Sequence, residues 1–258
     1  MTSLGRIYAI AVNTVREAIR NRVLYTLLFF ALALIGTGVL LASLSYVERE
    51  RILQDVGFAA MRVFAVAIAI FVGIHLVHRE VDRRTIFTIL SKPIARSEFL
   101  VGKYAGLVLT LWLQIAVMAL GFGAISQLSG APLTSVHAAA VVLVAAEVAV
   151  VVAVALLFSA FTTPMLASLF TAGLWMIGQL SRDLRALGAQ AESETIRRAT
   201  EVLYRALPDF QAFDLTAHAA RGLVIASSDV LLPLAYATGY ATLVLVAATW
   251  IFERRDFR

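Results

Sequence analysis

Residues 78–93 read His-Arg-Glu-Val-Asp-Arg-Arg-Thr-Ile-Phe-Thr-Ile-Leu-Ser-Lys-Pro and interrupt an otherwise apolar chain. The stretch is short, charged and basic. Val56–Val77 precedes it and Leu100–Gln127 follows it. Each flank is close to or above the ~20 apolar residues that cross ~30 Å of hydrocarbon at about 1.5 Å per residue. Four further runs have the same character: Val23–Val47, Val136–Ser159, Pro164–Leu180 and Val230–Phe252. Pro164–Leu180 is the shortest. The expected fold class is therefore all-α, a polytopic membrane protein forming one transmembrane domain over residues 1–258.

Composition agrees. Of the 258 residues, 60% are hydrophobic and 15% charged, against roughly 45–50% and about 25% in a soluble domain. The mean hydropathy is +0.85. There is no cysteine, so neither a disulfide framework nor a thiolate metal site exists. A pI near 9.9 would suggest nucleic acid in a soluble chain. Here the basic residues sit at helix ends and set orientation instead, so no nucleic-acid partner is expected.

With the N-terminus inside, the segments 1–22, 78–103, 160–163 and 253–258 carry 13 Lys and Arg, against 8 in 48–55, 128–135 and 181–229. The bias places both termini on the cytoplasmic side. Residues 4–22 form an amphipathic helix. Leu4, Ile7, Tyr8, Ala11, Val15, Ala18 and Ile19 lie on one face; Arg6, Asn13, Arg16, Glu17, Arg20 and Asn21 lie on the other. Such a helix suits the membrane surface. A signal peptide is the rival reading, but the apolar run that follows is long enough to stay in the bilayer. In the segment 181–229, Ile196, Ala199, Leu203 and Leu207 recur at helical spacing, and Pro208-Asp209 ends the run. This predicts one or two amphipathic helices over, or dipping into, the outer leaflet.

Between the second and third spans, Asp82–Leu90 has the pattern of a short helix stopped by Ser91-Lys92-Pro93. Ser97 is placed to cap the third span, with Glu98 in its first turn. A helix so placed lies across the inner surface, joined at both ends to spans, and a push on it tilts both. On charge alone an ordinary positive-inside loop is the simpler reading. The residues 79–103, Arg-Glu-Val-Asp-Arg-Arg-Thr-Ile-Phe-Thr-Ile-Leu-Ser-Lys-Pro-Ile-Ala-Arg-Ser-Glu-Phe-Leu-Val-Gly-Lys, however, resemble the cytoplasmic coupling segment of ABC transporter permeases of the type-2 exporter family. The leading helix ending in Arg20-Asn21-Arg22 resembles that family's interfacial helix. The ending Phe252-Glu253-Arg254-Arg255-Asp256-Phe257 resembles its C-terminal signature.

The resemblance implies a pore of two six-span subunits, as a homodimer or heterodimer, in a bacterial cytoplasmic membrane. Each subunit would sit on a separate cytoplasmic P-loop ATPase, with export as the expected direction. The coupling segment 79–99 would dock on that ATPase through Glu80, Arg83, Arg84, Thr85, Phe87, Lys92, Pro93 and Arg96. The chain's own residues fit this division. A phosphate-binding loop needs two glycines and a Lys-Ser/Thr at fixed spacing, whereas Gly102-Lys103 is followed by Tyr104 and has Ser97 at the first glycine position. No catalytic residue and no cofactor is expected.

Ionisable groups at membrane depth cost ~2.5–3.5 kcal/mol or more, which makes each a functional candidate. Glu147 lies about ten residues into the fourth span and Arg62 about five into the second, a depth difference of ~7–8 Å that an Arg side chain bridges. A pair is expected, either fixing helix packing or handling substrate. Gln114 falls at comparable depth and reads as an interhelical hydrogen bond. His75 and His78 invite a metal reading, but both lie at the interface and no His-Glu-x-x-His pattern accompanies them. Gly102-x-x-x-Gly106 permits close helix approach. Two other classes compete with the permease. An intramembrane enzyme needs clustered Asp, His or Ser at one depth; an ATP-independent ion-coupled carrier often shows paired repeats and broken helices.

Overall fold

The computed structural model describes residues 2–44, 48–82, 95–131, 133–191, 193–216 and 224–254. Nine helices appear among them: α1 (Ser3–Ile19), α2 (Arg22–Ser43), α3 (Arg49–Asp82), α4 (Arg96–Leu128), α5 (Ser135–Ser159), α6 (Pro164–Gln179), α7 (Ser181–Ala189), α8 (Glu194–Ala206) and α9 (Ser228–Arg254). A single 3-10 turn, Phe210–Phe213, lies between α8 and α9. No strand occurs among the described residues. The chain is a polytopic helical membrane protein: α2, α3, α4, α5 and α9 are each long and apolar enough to cross a bilayer.

Local chemistry sets the helix ends. Thr2 Oγ1 accepts from Gly5 N at 3.4 Å and starts α1. Asn21 Oδ1 accepts from Val23 N at 3.0 Å and starts α2. Ser97 does not cap the third span. The cap position falls two residues earlier, at Ala95, and the Glu98 carboxylate accepts from the Ala95 N–H at 3.2 Å. An alanine has no side-chain acceptor for the N–H groups of the first turn, so only the return half of a capping box is made here, from Glu98 to the backbone of the cap residue. Thr163 followed by Pro164 starts α6, where a missing N–H costs nothing.

The second span is longer than its apolar run. α3 is one helix of 34 residues, about 51 Å at 1.5 Å per residue. Its first turns carry exposed ion pairs of Arg51 with Glu48 and Asp55. Its last turn reaches Asp82, so the helical rod runs directly into the segment 83–94, which lies outside the described residues.

α5 is the axis of the bundle. It is apolar all round, as expected of a helix with no solvent face, and 72% of its apolar window is buried. α3, α4, α6 and α9 pack against it, and α2 packs on α3 and α4. α2 and α9 bury only 22% and 17% of their windows, leaving Phe29, Phe30, Leu40, Leu243 and Val246 exposed on the rim.

α6 is shorter than a crossing helix, at 16 residues or about 24 Å. It runs antiparallel to α5 and ends beside Glu147, to which Trp175 and Gln179 hydrogen-bond. About 18 Å of α5, from Glu147 back to Ser135, extends beyond that level. α7 and α8 form a helical hairpin. Arg185 pairs with Glu201 at 2.9 Å, and Thr200 lies over Gly188, where an added Cβ would overlap the Thr200 side chain. The polar side of α8 thus faces α7, while Ile196 and Leu203 stay exposed.

Candidate functional site

Two groups of polar residues stand out, one near the exit of α3 and one along its length at Arg62.

The first surrounds the exit of α3 and the entry of α4. α1 lies along α4 over the two glycines. A Cβ at Gly102 would sit 2.8 Å from Ile10 Cβ, and one at Gly106 would sit 2.6 Å from the Ala11 carbonyl and from Thr14 Cβ. The G-x-x-x-G pair is therefore the groove that holds α1, with Thr14 and Ala18 fully buried in the contact. Charges close its two ends. Arg6 Nε and Nη2 donate to Glu98 Oε2 and Oε1 at 2.8 and 2.7 Å, a bidentate fork. Lys103, 1% exposed, places Nζ 3.5 Å from Glu17 Oε2. On the other side of α4, Arg96 Nη1 donates to the Phe252 and Glu253 carbonyls at 3.1 and 3.0 Å. A cation thereby meets carbonyls in the last turn of α9, and Phe99 stacks on Phe252 with ring centroids 6.2 Å apart.

Of the eight residues expected to contact an ATPase, Arg96 is accordingly tied to α9. Glu80 lies in the last turns of α3. Arg83, Arg84, Thr85, Phe87, Lys92 and Pro93 lie outside the described residues.

The second group centres on Arg62. Its Nε donates to Glu147 Oε2 at 2.7 Å. Its Nη1 donates to Asp214 Oδ2 at 2.7 Å, and its Nη2 to the Phe210 carbonyl at 2.8 Å. Glu147 is fully buried. Its other oxygen accepts from Trp175 Nε1 and Gln179 Nε2, both at 2.8 Å. Every partner of Glu147 is a donor, which is the arrangement an ionised carboxylate requires. The two residues placed at similar depth by the sequence are thus joined. Asp214, Trp175, Gln179 and the Phe210 carbonyl, which complete the group, carry no sequence signal of membership.

Gln114 is not part of this group. It is 4% exposed, and neither its Oε1 nor its Nε2 has a hydrogen-bond partner among the described residues. Among the described residues no set of His, Asp and Glu has the arrangement of a metal site, and His75 is exposed.

A bundle of apolar crossing helices, tied at one end around an inter-span segment and at mid-bundle by a buried charge group, defines a multi-pass membrane protein. The chain belongs to the ABC-2 transporter family: the family model for an ABC-2 family transporter protein matches residues 8–257. It is an ABC transporter permease, the transmembrane component and not itself the ATPase of such a system. No curated protein matches it.

Proposed function

We propose that this permease is the pore-forming half of an exporter powered by a separate cytoplasmic P-loop ATPase. Two permease subunits, alike or different, form the pathway in a bacterial cytoplasmic membrane, with both termini and residues 79–99 on the cytoplasmic side. The observation that carries this reading is the setting of the coupling segment. It leaves α3, one uninterrupted helix of 34 residues, and enters α4, a helix of 33. A push on the segment acts on two rods that reach the far side of the membrane.

α1 moves with them. Clamped on the Gly102–Gly106 groove and pinned at Glu98 and Lys103, it presents Leu4 and Tyr8, 79% and 71% exposed, to the lipid interface. α6, with the chain that returns from it to α9, makes the sixth passage, and the α7–α8 hairpin lies at the outer leaflet.

Co-expression with a candidate ATPase tests the reading. The two proteins are expected to co-purify, and the combined variant Arg83→Ala, Arg84→Ala, Phe87→Ala to lose the partner while remaining folded. An ATP-independent ion-coupled carrier is the second reading, favoured by the buried Arg62–Glu147 pair. A folded chain that ignores every ATPase offered would select it.

A further inference from the structure

The segment 207–216, which joins α8 to the chain leading to α9, is a strap of irregular backbone with one 3-10 turn. Its 3-10 turn packs on α5 and α6, and its Phe210 carbonyl reaches the same guanidinium that holds Glu147. Non-helical backbone at membrane depth persists only where other groups satisfy it, and here Arg62 does so. Its Nη2 takes the Phe210 carbonyl and its Nη1 the Asp214 carboxylate. Phe210 and Phe213, each 1% exposed, fill the space beneath. Pro208 and Phe210 press on α6 at Gly178, where a Cβ would meet Phe210 Cδ2 at 2.5 Å and the Pro208 carbonyl at 2.6 Å.

We propose that Arg62 is a latch holding this strap on the bundle, and that the strap side of the latch is the side that opens during transport. The two sides differ in what parting would leave behind. If Arg62 leaves Glu147, a fully buried carboxylate loses its counter-charge, which is strongly unfavourable. If Arg62 leaves Asp214, the carboxylate is already 40% exposed and water replaces the lost partner. Thr216 N, which donates to Asp214 Oδ1 at 2.9 Å, travels with the strap. Glu147 therefore fixes Arg62 to α5 and α6, and Asp214 is the releasable limb. Arg62 stands 20 residues before Asp82 on the same unbroken helix, so movement of α3 at its Asp82 end reaches the latch about 30 Å away. The role of α3 as the moved element rests on the permease reading; the latch itself does not.

The chain has no cysteine, so Ala212→Cys in the full-length protein, reconstituted in vesicles, reports strap exposure by its rate of reaction with a membrane-impermeant maleimide. Asp214→Asn is expected to raise that rate about tenfold, the cost of one charge-assisted hydrogen bond, and Asp214→Glu to restore most of the slow rate. Arg62→Lys keeps the charge but loses the fork and is expected to raise the rate likewise. Rates equal to the parent in both Asp214→Asn and Arg62→Lys, with the protein folded by size exclusion, would overturn the latch. A second arm adds the candidate ATPase and nucleotide. Faster labelling with nucleotide supports opening driven through α3. Fast labelling in Asp214→Asn with no response to nucleotide leaves the latch standing and removes its use in transport.

Discussion

The α1–α4 contact and the strap on Arg62 attach peripheral segments to one bundle by opposite means. α1 is helical, so its own backbone bonds are satisfied, and it needs only a close fit. Two glycines supply the groove, and charged pairs sit at its ends. The strap is irregular, so its carbonyls need outside donors. A single guanidinium supplies one and balances a carboxylate as well. Packing in a membrane follows the same division: small residues bring helices together, while broken backbone persists only where protein groups or water reach it. The lesson is that the first attachment depends on shape and the second on charge.

Substitutions that attack charge and shape separately break that comparison. The largest effect is expected from Arg62→Leu, which strands Glu147 in the core and frees the strap together. A loss of about 3–5 kcal/mol is expected, read as a large drop in thermal unfolding temperature in detergent. An unchanged transition would show that the group carries no stability. Gly106→Val comes next. The new side chain meets the Ala11 carbonyl and Thr14, at about 1–3 kcal/mol of overpacking. Proteolysis within residues 3–19 is expected to rise while strap labelling stays slow, and a rise in both would deny that the two attachments are independent.

Arg6→Ala removes a partly exposed fork and leaves the glycine groove intact. Cleavage of α1 should rise only about two- to threefold, and a rise as large as that of Gly106→Val would move the weight from shape to charge.

Much of this architecture was legible in the sequence. Five of the six apolar runs fall on helices long and apolar enough to cross, while Pro164–Leu180 falls on α6, which is shorter. Arg62 and Glu147 could be matched because both are expensive at depth and helix rise fixes how far apart they lie. The face of α1 was harder to read. Leu4, Tyr8 and Ile19 lie on the apolar face expected at the membrane surface and are exposed, but nothing in that pattern set Thr14 and Ala18 apart as the residues buried against the bundle. In a membrane, apolarity does not separate inside from outside, and the groove selects residues by size. Asp214 and the Phe210 carbonyl were out of reach for another reason. A carbonyl ligand has no sequence signature, and an irregular strap carries no periodicity to place its side chains. Ser97 looked like a cap because it has the right side chain, but α4 begins earlier, and the residue at its cap position is Ala95, whose N–H is taken by Glu98.

The central claim is that force enters through residues 79–99. The most direct measurement is ATP turnover by a candidate ATPase reconstituted with this permease in vesicles. Turnover is expected to change on adding the permease, and to return to that of the ATPase alone when the permease carries Arg83→Ala, Arg84→Ala and Phe87→Ala but remains folded. The same turnover with the parent and the triple variant would contradict the account.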